Sequence, residues 1–136
     1  MLVLLDSSVR VSGSFAEFTV DLPDSARNVS RVSLAYADIA NPAAWNLPAY
    51  VISLEGMPAG VSYGYGDGGG YHGLAQFVVP TEAPAGYRTF FRATSFGQSL
   101  TISPTQSYSR LTVRILGSDG LPAALTADSL LILRVE

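Results

Sequence analysis

Apolar and polar residues alternate along most of this chain. Phe18, Val20 and Leu22 are separated by Thr19 and Asp21; Val32, Leu34 and Tyr36 alternate with Arg31, Ser33 and Ala35; Leu111, Val113 and Ile115 are separated by Thr112 and Arg114. A period of two puts one set of side chains on each face of an extended backbone, so each segment predicts a half-buried β-strand. Further strands are expected at 2–5, 50–54, 74–79, 88–93, 99–102 and 130–135, most of them bounded by Gly, Pro, Ser, Asn or Asp, which makes about nine short strands. No stretch sustains an apolar period of 3.6 residues; 42–45 and 122–129 have room for a turn or two of helix. Pro23 is expected to stop its strand, because proline cannot donate to a ladder. Asp119-Gly120 between two apolar strands is a hairpin signal. Many short strands with Gly- and Pro-rich turns predict an all-β sandwich or barrel of antiparallel sheets.

One segment departs from the pattern. Residues 60–73, GVSYGYGDGGGYHG, hold seven of the thirteen glycines together with Tyr63, Tyr65, Tyr71 and His72. Glycine loses the most backbone entropy on ordering, which predicts a long surface loop between two strands here. Tyrosine offers amphipathic contact area at low entropic cost, so Tyr63, Tyr65, Tyr71 and His72 form a candidate partner-contact loop. The adjacent Phe90 and Phe91 must point to opposite faces of their strand. One can enter the core, and the other needs a second sheet or a partner subunit.

Composition narrows the possible chemistry. The length of 136 residues suits one domain, 1–136, able to bury a core without a metal or disulfide. Cysteine is absent, which removes thiol nucleophiles, disulfides and the usual zinc sites. The net charge of −3 argues against direct nucleic-acid binding, which calls for a basic face. All eight basic residues are arginine, a bias that points to GC-rich coding of the kind common in bacteria and their phages. MLVLL has too few apolar residues and no preceding basic residue to be read as a secretory or membrane segment. With 48% apolar and only 14% charged residues, part of the surface is expected to be covered by partners.

The chemical motifs are weak beside their structural alternatives. His72 is the one histidine and the one group able to act as a base near neutrality without a large shift, but it lies in a glycine-rich segment that positions side chains poorly. The run 66–70, GDGGG, lacks the lysine and Ser/Thr of a phosphate-binding loop, and Asp67 alone is too few ligands for calcium. Glu17, Glu55 and Glu82 are scattered and read as solvated strand-face charges. Asn28-Val29-Ser30 fits a glycosylation sequon, a triplet common by chance. No catalytic residue, metal site or cofactor is therefore expected, and a non-enzymatic role follows. A carbohydrate-binding or adhesion sandwich using Trp45 and the loop tyrosines as stacking platforms is the alternative from a different class.

The order of motifs along the chain carries a resemblance. LDSSVRVSGSFAEFTVDLPDSARNVSRVSLAYADIAN, from Leu5, resembles the opening of the single jelly-roll vertex (penton) capsid proteins of icosahedral viruses whose major capsid proteins are double jelly rolls, the tectivirus and virophage type. The matching positions are Asp6, Ser7, Arg10, Ser12, Gly13, Phe18, Val20, Leu22, Pro23, Asn28, Val29, Val32, Leu34, Asp38, Ile39 and Asn41. YVISLEG at 50–56 and the closing LTVRILGSDGLPAALTADSLLILRVE are similar to later strands of that family, whereas NPAAWNLPA is shorter than the family's middle section. The resemblance implies a single jelly-roll β-sandwich of about eight antiparallel strands. It also implies a structural virion protein at the capsid vertex. Its partners would be itself, as a homopentamer, and the neighbouring major capsid proteins, with a spike protein as a further candidate. Another single-jelly-roll capsid subunit or a spike base is the near alternative, and contact with an internal membrane is left open.

Overall fold

The computed structural model describes residues 1–64, 72–93 and 98–136, with the backbone alone at His72. The described residues form β1 (Leu2–Asp6), β2 (Ser12–Gly13), β3 (Glu17–Ala40), β4 (Ala49–Leu54), β5 (Val61–Gly64), β6 (His72–Ala75), β7 (Phe77–Pro80), β8 (Arg88–Arg92), β9 (Ser99–Gly117) and β10 (Leu130–Val135). All pairings are antiparallel, and no α-helix occurs among the described residues.

Two strands are far longer than the alternation suggests, because β3 and β9 each run through two sheets. At ~3.3 Å per residue the 24 residues of β3 would span about 80 Å if straight, whereas a chain of this length has a radius of gyration of only about 14 Å. The strand therefore bends, and its ladder with β9 shifts register between Asp21 and Ala26, Ala26 and Val29, and Val29 and Arg31. Pro23 falls in the first break: it interrupts the pairing but not the extended backbone. Asn28 sits in the same region with φ of 50°, a left-handed conformation that asparagine tolerates better than most side chains.

The bend divides the structure into two layers. One sheet has the order β1, β10, second half of β3, β8; the other has the order first half of β3, second half of β9, β4, β7. This is the strand order of a single jelly-roll β-sandwich. One hydrophobic cluster fills the space between the layers, from Val3 and Leu5 through Phe18, Leu34, Ile52 and Phe77 to Leu133. Gly13 has φ of 99°, and a Cβ there would lie 2.1 Å from the Glu17 carbonyl oxygen, so the tight turn from β2 into β3 admits only glycine.

Three local expectations are corrected. The alternation through Tyr36 breaks: Val32 and Leu34 are buried, but Ala37 and Ile39 are the next buried residues, because a bulge opposite Ile132 and Leu133 shifts the phase. Residues 74–79 form two strands, with Gln76 between them donating and accepting across the corner at Leu54, Met57 and Pro58. Asp119-Gly120 does turn the chain, with Gly120 at φ of 81°. The return strand is only a bridge from Leu116 to Pro122, after which β10 crosses to the other sheet and pairs with β1 and β3.

Candidate interaction surface

The outward faces of the two sheets differ in chemistry. Antiparallel partners point to the same side of a sheet, so the registers give the outer face of the first sheet directly. One row reads Leu4, Ile132, Tyr36, Arg92, and the next reads Asp6, Leu130, Asp38, Phe90. Leu2 follows beside Arg134. The inward partners, Val3 with Leu133 and Leu5 with Leu131, are buried in the core. The result is a band of leucine, isoleucine, tyrosine and phenylalanine across the outside of the sheet, where Leu2 and Leu4 are each 56% exposed and Phe90 51%. The same face also carries Asp6, Arg92 and Arg134 around the band and, at one corner, an ion pair in which Arg88 Nε donates to Asp38 Oδ1 at 2.7 Å.

The outer face of the second sheet is polar where β3 meets β9. Arg114 pairs with Glu17 at 3.1 Å, Arg110 with Asp21 at 2.6 Å, and the hydroxyls of Thr19 and Thr112 lie 2.8 Å apart. Hydrogen bonding from Arg110 holds the Asp21 carboxyl below the usual carboxylate range. Cross-strand pairs of this kind suit a face that remains in water.

The sheet edges differ as well. On β7, the Gln98 side chain imitates a pairing strand: Val78 N–H donates to Gln98 Oε1 at 2.7 Å, and Gln98 Nε2 donates to the Val78 carbonyl at 2.6 Å. This blocks an edge that would otherwise offer itself to another chain. On β1 the odd residues face β10. Val135 N–H donates to the Met1 carbonyl, and Ser7 N–H to that of Ser129. By the alternation of an antiparallel ladder, the N–H and C=O groups of Leu2, Leu4 and Asp6 point to the free edge. On β8, Asn41 N–H donates to the Tyr87 carbonyl and Ala93 N–H to that of Ala35, which leaves the groups of Arg88, Phe90 and Arg92 pointing outward. Beneath β1 an open groove of about 420 Å³ is lined by Leu2, Leu4, Val9, Leu22 and Pro23 and rimmed by Asp6, Asp21 and Asp24.

The residues singled out for partner contact lie elsewhere. Tyr63 is on β5, and the ends of the 60–73 segment are strands rather than loop, with Gly64 paired to His72 and Tyr63 to Gly73. A Cβ at Gly73 would lie 2.4 Å from the Tyr63 hydroxyl oxygen, so a larger residue there would displace the Tyr63 ring. Tyr65, Tyr71 and the His72 side chain lie outside the described residues. The β5–β6 ladder is a separate sheet from the one that carries the apolar band. Phe90 and Phe91 divide as expected, Phe91 packing against the core and Phe90 projecting outward. Trp45 is partly buried: one face of its ring stacks on Tyr50 at 4.2 Å with a 10° interplanar angle, its Nε1 donates to Thr81 Oγ1 at 3.0 Å, and it lines an open groove with Pro42, Leu47 and Leu121.

A buried polar hub organises the end of the sandwich next to β8. Asn41 Oδ1 accepts from the Tyr50 hydroxyl and from Thr89 Oγ1, each at 2.7 Å, while Nδ2 donates to the carbonyls of Ala83 and Pro84 at 3.0 and 3.1 Å. Burial pushes the Tyr50 phenol well above its ordinary value. The hub ties β3, β4 and β8 to the 81–87 segment that leads into the exposed edge.

The sequence reading missed the apolar band, although a signal was present. LLILRV in β10 is apolar at both parities, as expected of a strand covered on two faces. No protein-family model and no curated protein matches the chain.

Proposed function

We propose that this chain is a structural virion protein, a single jelly-roll subunit that assembles as homopentamers at capsid vertices. There it plugs the fivefold positions against neighbouring major capsid proteins and offers a seat for a spike. The observation that carries the reading is the contrast between the two outer faces. One is laced with ion pairs and paired hydroxyls, and the other is an apolar band with Leu2, Leu4 and Phe90 half exposed. An apolar patch on a chain otherwise able to satisfy its polar groups marks a surface made to be covered. Around a fivefold axis each subunit meets identical neighbours through two different surfaces, a heterologous contact that closes into a ring. Low overall charge suits such a subunit, since interface cores are depleted of charged residues. The motif order shared with vertex proteins turns that general assembly role into this specific one. Native mass spectrometry of the purified chain tests it. The expected species contains five chains of 14.4 kDa; a strictly monomeric chain over a wide concentration range would overturn the reading.

A further inference from the structure

Among the described residues the first sheet has two unpaired edges, β1 and β8, and they are complementary. In β1 the residues whose backbone groups face the edge, Leu2, Leu4 and Asp6, also carry their side chains on the outer face. In β8 the same is true of Arg88, Phe90 and Arg92. Because β1 and β8 lie at opposite ends of one four-stranded order and run in opposite directions, a sheet continued from copy to copy brings β1 of the next chain antiparallel to β8.

We propose that the free edge of β1 in one copy pairs with the free edge of β8 in the next, joining the sheets edge to edge around the ring. This rests on the reading that copies assemble, and it names the surfaces they use. With Leu4 opposite Phe90, Asp6 faces Arg88 and Leu2 lies along the stem of Arg92, each pair exchanging both of its backbone N–H···O bonds. The apolar band then runs unbroken from one copy to the next, and the acidic side of the β1 edge, with Asp6 and Asp24, meets the arginines that flank Phe90. A stable interface needs about 800 Å² from each partner. The exposed Met1 and Val9 beside β1 and Tyr87 beside β8 extend the contact beyond the paired residues. The third edge, β7, is closed to the same use by Gln98.

The absence of cysteine makes the test direct. In a hydrogen-bonded antiparallel pair the Cα atoms are about 5.5 Å apart, inside the ~4.4–6.8 Å range a disulfide spans. The full-length chain carrying both Leu4→Cys and Phe90→Cys, oxidised and run without reductant, is expected to give a ladder of covalently linked copies ending in a closed ring. A mixture of the two single variants should stop at dimers. Linkage of Leu4→Cys with itself would show that β1 meets β1 and overturn the proposal. An unlinked double variant, when native mass spectrometry shows the chain to be oligomeric, would overturn this pairing and leave the assembly reading standing. A monomeric parent chain would overturn both. Leu4→Pro gives a further check, because the backbone N–H it removes faces the edge and no ladder bond to β10 is lost with it. It should abolish the ring with a thermal midpoint close to that of the parent, and a ring that persists in Leu4→Pro would also overturn the pairing.

Discussion

Replacing Asn41 with alanine should be the most damaging polar substitution in this protein. Asn41 is 5% exposed, and all four hydrogen-bonding positions of its side chain are used. Two of its partners, the Tyr50 and Thr89 hydroxyls, belong to fully buried residues and have no other acceptor among the described hydrogen bonds. Each orphaned hydroxyl costs about 1–3 kcal/mol. The carbonyls of Ala83 and Pro84 lie on partly exposed residues and can turn to water, so they add little. The expected loss is therefore about 4 kcal/mol, a large part of a typical ~5–15 kcal/mol stability. In urea unfolding it should appear as a lowered midpoint with an unchanged slope. Coupling gives the sharper check. Tyr50→Phe should cost stability in the parent chain but almost nothing in the Asn41→Ala chain, where it removes a hydroxyl that has already lost its acceptor. If Asn41→Ala unfolded within about 1 kcal/mol of the parent, or if the two substitutions were additive, the hub would not be holding this end of the sandwich.

Other outcomes follow from the same contacts. Phe90→Asp should disperse the proposed pentamer while moving the unfolding midpoint little, as expected of an exposed position; Glu17→Gln, on the polar face, should leave that pentamer intact, and native mass spectrometry compares the two. Gly13→Ala combines a left-handed backbone with a clash against the Glu17 carbonyl and should cost about 2–3 kcal/mol in urea unfolding. The Tyr50 phenol has a raised pKa in the folded state, so its contribution is fully present below the unfolded value of 10.0 and is lost as pH rises above it. Alkaline unfolding monitored by circular dichroism should begin above that pH and be partly relieved in Tyr50→Phe. The Asp21–Arg110 pair is solvent-exposed, and Asp21→Asn should leave the thermal midpoint unchanged.

The fold class was legible because period-two alternation is a local property. Phe18, Val20 and Leu22, or Leu111, Val113 and Ile115, must face one way in any extended backbone, and the structure buries all six. Bulges are not local: the phase change between Leu34 and Ala37 depends on how β10 pairs opposite, and no pattern within β3 announces it. The candidate site was read from composition, which favoured the glycine- and tyrosine-rich segment, whereas the apolar band is spread over β1, β3, β8 and β10 and becomes contiguous only when those strands align.

Alternation, turn residues and the lack of cysteine are enough to specify antiparallel strands packed over an apolar core, because each depends on one or a few neighbouring residues. Which strands are neighbours, which edges remain open and which outer face is apolar are matters of register between residues up to a whole chain apart, as Met1 and Val135 are. Those relations are set by the mutual burial of Val3, Leu5, Leu34, Leu131 and Leu133, an energy that exists only once the two layers have closed.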